Sequence, residues 1–73
     1  MRAYNVFRCK RADCVYCAVP EDCAVPRFLS TKTWTFSGKI DAPGARPVGF
    51  DEAAAGAGVR FNGFYLFHVF APL

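Results

Sequence analysis

Histidine occurs once in the 73 residues, at position 68. The signatures G-x-x-x-x-G-K-[ST], G-x-G-x-x-G and H-E-x-x-H do not occur at all. A lone histidine rules out a histidine-built metal site and leaves one candidate base for a cysteine nucleophile, with nothing in the spacing to bring the two together. Charge is sparse as well. Nine Lys and Arg against six Asp and Glu give a net +3 with no long run of one sign, far from the composition of a nucleic-acid-binding tail. Two carboxylate pairs, Glu21-Asp22 and Asp51-Glu52, stand where helix starts are expected, which accounts for them without catalysis. Long hydrophobic runs are missing too. The longest, residues 64–73, is about half of what a membrane-spanning helix needs. No apolar segment follows the N-terminal charge in the way a secretory signal requires. A cytoplasmic chain with reduced thiols is the expectation, with no membrane partner and no enzymatic activity.

Aromatic rings are what the chain has in quantity. Eight Phe, three Tyr and one Trp make 16% of it. A domain of this size buries only about 60% of the surface its unfolded chain exposes. Twelve rings are too many for such a core, so some are expected on a surface that meets something.

Four cysteines follow the pattern Cys9-x4-Cys14-x2-Cys17-x5-Cys23. Four thiolates suffice for a tetrahedral zinc. However, Val15-Tyr16 between the middle pair favours a strand over a metal-presenting turn. Residues three apart in a strand point to opposite faces, so Cys14 and Cys17 diverge. The expectation is no bound metal and no cofactor. The tetrapeptide Cys-Ala-Val-Pro occurs twice, starting at Cys17 and at Cys23, a period too short to be a structural repeat.

Along the chain, residues 3–10 and 14–19 read as a hairpin of two strands with a short polar turn, the second strand stopped by Pro20. Residues 20–33 read as a connection in which Pro20 opens at most a turn or two of helix before Pro26. Residues 33–40 alternate, with Trp34 and Phe36 on one face, and Trp34 is expected in the core. Residues 41–49, with two Pro and two Gly, are a loop. Asp51 is a plausible N-cap for a helix that ends at Gly63. Residues 64–70 form the last strand. The stretch from Arg60 resembles in part the aromatic strand motif of RNA-recognition domains. Phe61-Asn62 separates Arg60 from Gly63, and Tyr65 stands where that motif has a small residue, so no family is assigned.

The expected fold is α+β, one domain over residues 1–73. It has a single-layer, mostly antiparallel sheet of about four strands in the order β-β-β-α-β, with one helix on one face. The last strand is apolar on both sides: Phe64, Leu66, His68 and Phe70 face one way, Tyr65, Phe67, Val69 and Ala71 the other. One helix covers one face only. The other is expected to meet a partner, a second copy of the chain, another protein or a ligand, so the expected function is that of a non-enzymatic interaction module that forms a homodimer. The interface candidates are Tyr65 and Phe67 on one face and Phe64 and Phe70 on the other. Nucleic-acid binding, with rings stacking on bases and Arg8, Lys10 and Arg11 on phosphate, is the alternative. A zinc-stabilised module is the second alternative.

Overall fold

The computed structural model describes residues 3–12, 14–41 and 49–69. Its elements are β1 (Tyr4–Cys9), β2 (Val15–Pro20), β3 (Trp34–Ile40), α1 (Glu52–Asn62) and β4 (Tyr65–His68). The sheet has the order β3-β1-β2-β4, and every neighbouring pair is antiparallel. This is the small α+β fold expected from the sequence, with the helix packed against the sheet. Among the described residues no helix is long and apolar enough to cross a membrane.

The helix forms where its capping chemistry places it. The Asp51 carboxylate accepts from the Ala54 N–H at 3.0 Å. Gly63 ends it in the left-handed conformation, donating its N–H to the Val59 carbonyl at 2.9 Å. Phe50, one residue before the N-cap, fixes the approach of the chain. Its ring meets Tyr4, Tyr65 and Phe67 edge-on at 5.4, 5.6 and 5.2 Å. At Gly58 the helix lies so close to β4 that a Cβ would meet the Phe64 carbonyl oxygen at 3.0 Å.

The core lies between helix and sheet: Tyr4 and Val6 of β1, Ala18 of β2, Ile40 of β3, Phe67 of β4 and Ala55 of α1. Tyr16, Phe50, Val59, Tyr65 and Val69 pack around it. The helix therefore covers the Tyr65 and Phe67 side of β4.

Strand β3 contains an irregularity that simple alternation does not predict. Phe7 pairs with Phe36, but Val6 pairs with Gly38, leaving Ser37 as an extra residue. A bulge of this kind reverses the facing of everything beyond it. Trp34 and Phe36 point away from the helix, while Ile40 turns into the core. Gly38 takes φ 147°, a backbone state that residues with a Cβ rarely adopt. Trp34 is thus half-buried on the helix-free side, in contact with Phe28 at 5.9 Å, and is not a residue of the helix-side core.

The connection 21–33 stays within the expected limit of a turn or two of helix. It contains no helix. Instead it takes successive turns closed by Cys23 N–H to Pro20 O, Leu29 N–H to Pro26 O and Thr33 N–H to Ser30 O. Pro20 is the last residue of β2, and its carbonyl accepts the bond that closes the first of these turns.

Replacing Gly38 by Ala is expected to cost about 1–3 kcal/mol, although the added methyl meets nothing within 4 Å. Urea unfolding reads this directly. An unchanged midpoint would show that the bulge does not depend on the glycine.

Candidate interface on the helix-free face

Both β2 and β3 are antiparallel to β1, which lies between them, so they are parallel to each other. The connection 21–33 must therefore cross the sheet. It does so on the face away from the helix, where the Phe28 ring lies 4.9 Å from Phe64 and 5.9 Å from Trp34. Trp34 stands at one corner of that face, on β3 opposite Cys9. Phe64, just before β4, stands at the diagonal corner. The connection is a strap along this diagonal. One end is held by the Glu21 carboxylate on the Lys39 ammonium at 2.9 Å and by Glu21 N–H to Ala3 O. The other end is held by Lys10, whose ammonium donates to Thr31 O at 2.6 Å and whose N–H donates to Thr33 O at 2.7 Å.

Beneath the strap Cys17 and Val19 are completely buried. On either side of it the sheet remains open. The register aligns Phe36, Phe7, Cys17 and Leu66 in one row straight across the four strands. The two ends of the row are exposed, Phe36 by 56% and Leu66 by 50%. Its inner members are half-buried (Phe7) and fully buried (Cys17). Phe36 is steadied by the Phe7 ring at 5.7 Å. Phe28 on the strap is itself 42% exposed.

The residues singled out from sequence fall in different places. Phe67 is only 5% exposed and lies in the core, with Tyr65 stacked on it at 5.5 Å. Phe64 is half-buried under Phe28. Phe70 lies outside the described residues. Arg8 shares the helix side of β1 with Tyr4 and Val6, whereas Lys10 and Arg11 are exposed in the β1–β2 turn, so the three cations do not form one patch. The exposed large apolar residues of the sheet and strap here are Phe36 and Leu66 on the strands and Val25 and Phe28 on the strap. None of them was among the interface candidates. Phe36 was legible only as a half-buried strand residue, and the register that sets it level with Leu66 has no signal in the sequence. A more exposed ring, Phe61 at 78%, stands on the helix between Arg60 and Asn62.

All four cysteines are thiols. Cys9 is half-buried on the helix-free side, Cys14 and Cys23 are exposed, and Cys17 is buried at the centre of the sheet. Among the described residues, no group of three or more His, Cys, Asp or Glu side chains is arranged to hold a metal ion. The Cys23 thiol donates to the Asp22 carboxylate at 3.7 Å. Burial pushes the Cys17 thiol up from 9.0 to about 12, against a smaller lowering effect of a backbone hydrogen bond with Tyr65. A thiol held protonated in this way is a poor nucleophile at neutral pH.

Comparison with family models, with curated proteins and with solved structures returns no match.

The Cys17 shift has a definite consequence for stability. Between pH 9.0 and about 12 the unfolded chain has lost a proton that the folded chain keeps. The stabilisation is complete below the unfolded value and is lost as pH rises toward the folded one. The fall in thermal midpoint from about pH 8 to about pH 10.5 is therefore expected to be steeper for the native chain than for Cys17→Ala. Parallel curves would show that the thiol is not desolvated.

Proposed function

We propose that the chain is a non-enzymatic interaction module that self-associates through its helix-free sheet face. The observation that carries this is the row from Phe36 to Leu66, buried at its centre by the strap and exposed at both ends. Phe36 and Leu66 flank a strap that itself exposes Val25 and Phe28, and several exposed apolar side chains on one face mark a contact surface, whereas an isolated ring such as Phe61 is common on any protein. The broad side of the molecule measures 33 × 29 Å, enough for the ~800 Å² per partner of a standard contact.

Charge supports a second copy as the partner. The strap carries Glu21 and Asp22 against Arg27 and Lys32, so it is electroneutral and does not repel its own copy. The same neutrality weakens the nucleic-acid alternative, which needs cations tracking a phosphate backbone beside the rings. Arg27 beside the exposed Phe28 is the feature that favours that alternative.

Sheet edges are the usual rival route to association, and both are guarded. On β3, the Trp34 N–H is taken by Ser30 O at 2.9 Å, the bulge bends the strand, and Lys39 stands near its end. On β4 there are four residues, and Gly49 packs against the His68 carbonyl.

Light scattering across a dilution series is expected to show a dimer at high micromolar concentration. The double variant Phe36→Asp, Leu66→Asp should be a folded monomer with a nearly unchanged far-ultraviolet spectrum, because neither side chain is core. Phe67→Asp, by contrast, should unfold the chain. A native chain that stays monomeric at these concentrations would overturn the proposal. A monomer with salt-dependent affinity for single-stranded nucleic acid would replace it with the alternative.

Phe36 and Phe28 each expose a ring, so a fluorine label on phenylalanine gives a second, independent check. The Phe36 and Phe28 signals should move with concentration, and the Phe61 signal should stay in place. Movement of Phe61 alone would put the contact on the helix.

A further inference from the structure

The strap that crosses the helix-free face is held differently from the domain beneath it. We infer that residues 24–29 form a lid that lifts as a unit while sheet and helix stay folded. Lifting uncovers Cys17, Val19 and the middle of the row between Phe36 and Leu66. That the lid gates a contact face rests on the self-association proposed above; that it opens does not.

No residue of the connection 21–33 belongs to the buried core, which is drawn from the four strands and the helix. The strap is tied down at its ends. Glu21 N–H donates to Ala3 O and Lys10 N–H to Thr33 O, and turns closed on Pro20 O and Ser30 O join the ends to β2 and β3. Pro20 is fully buried and gives one fixed point; Trp34, whose N–H is held by Ser30 O at 2.9 Å, gives the other. Between these ends, residues 24–29 make no backbone hydrogen bond to a strand among the described residues, and the bond from Leu29 N–H to Pro26 O stays within the segment. Side chains alone seat it. Pro26 and Leu29 are half-buried, whereas Ala24, Val25 and Arg27 are exposed. A segment with few buried apolar contacts and no ladder bonds opens far more readily than the whole domain unfolds.

Phe28 is the catch of the lid. Its ring is edge-on to Phe64 at 4.9 Å and to Trp34 at 5.9 Å, so one side chain bridges the two corners of the face. Each such ring contact shifts an equilibrium by roughly 2- to 13-fold beyond its area burial. Cys17 reports the opening. It has no accessible surface while the lid is down, and burial keeps the thiol protonated, pushed up to about 12. A disulfide reagent attacks only a thiolate that it can reach, so Cys17 reacts after the lid lifts and not before.

The test is the rate at which dithionitrobenzoate labels Cys17 in dilute solution, in a chain carrying Cys9→Ser, Cys14→Ser and Cys23→Ser. Labelling is expected to outpace what global unfolding allows and to rise less steeply with urea than global unfolding does. Phe28→Ala removes both ring contacts and should speed labelling by about 5-fold or more. Ala55→Gly, in the helix on the opposite face, shifts the global equilibrium by about 4- to 5-fold and should leave the labelling rate unchanged. Labelling that follows global unfolding, in its urea slope or in its response to Ala55→Gly, would overturn the lid. So would immediate labelling of the folded chain that Phe28→Ala does not change. If the serine background does not fold, the same rates are read in the native chain by mass spectrometry at Cys17. A second copy seated on Val25 and Phe28 holds the lid down, so labelling should also slow at high micromolar concentration. A lid that passes the dilute tests without this slowing stands, and the result counts against self-association alone.

Discussion

The chain has to pass from β2 to β3 across β1, because the two strands run parallel while β1 lies between them. Only 13 residues, 21–33, make that passage. Pro26, near their middle, rules out a long helix there. The passage therefore becomes a strap of turns on one face of the sheet, and the helix takes the other. Everything notable about the helix-free face follows from the strap being narrower than the sheet. Cys17 and Val19 under it are sealed from solvent, and the Cys17 thiol is held protonated. Phe36 and Leu66 at its sides are left exposed. The bulge at Ser37 completes the pattern, since it lets one strand send Ile40 into the core and Phe36 to the opposite face.

Much of the architecture was readable in the sequence because it is written in local chemistry. The Asp51 cap, the Gly63 stop and the alternation within each strand are decided by residues within a turn of one another. The α+β fold with its single helix followed from those elements. What escaped sequence reading was non-local. Phe50 belongs to no regular element, yet its ring joins three others in the core. The strap has no hydrophobic period to announce that it packs on the sheet. The bulge depends on the pairing of β3 with β1, which no single strand encodes. Tyr65 and Phe67 looked like surface candidates because their strand is apolar on both sides, and only the position of the helix decides which side is core.

The surplus of aromatics divides accordingly. Tyr4, Tyr16, Phe50, Tyr65 and Phe67 build the helix side. Phe28, Trp34 and Phe64 form the row that holds the strap down. Phe7 supports Phe36. The argument that twelve rings exceed what a small core hides is thus answered partly from within the chain, by a second, thinner apolar layer beneath the strap. The apolar side chains still exposed on this face are few, with Phe36 and Leu66 in register on the outer strands, and it is their arrangement more than their number that supports a contact surface. The cysteines contribute as small thiols, Cys17 buried, Cys9 half-buried, and Cys14 and Cys23 exposed.

The central claim is that the helix-free face, and not the helix, is where one copy meets another. Backbone amide resonances followed as the native protein is diluted from high to low micromolar concentration test this residue by residue. Shifts confined to the strap and to the neighbourhood of Phe36 and Leu66, with the amides of residues 53–61 unmoved, are the predicted result. Shifts centred on the helix, or none at any concentration, would contradict the account.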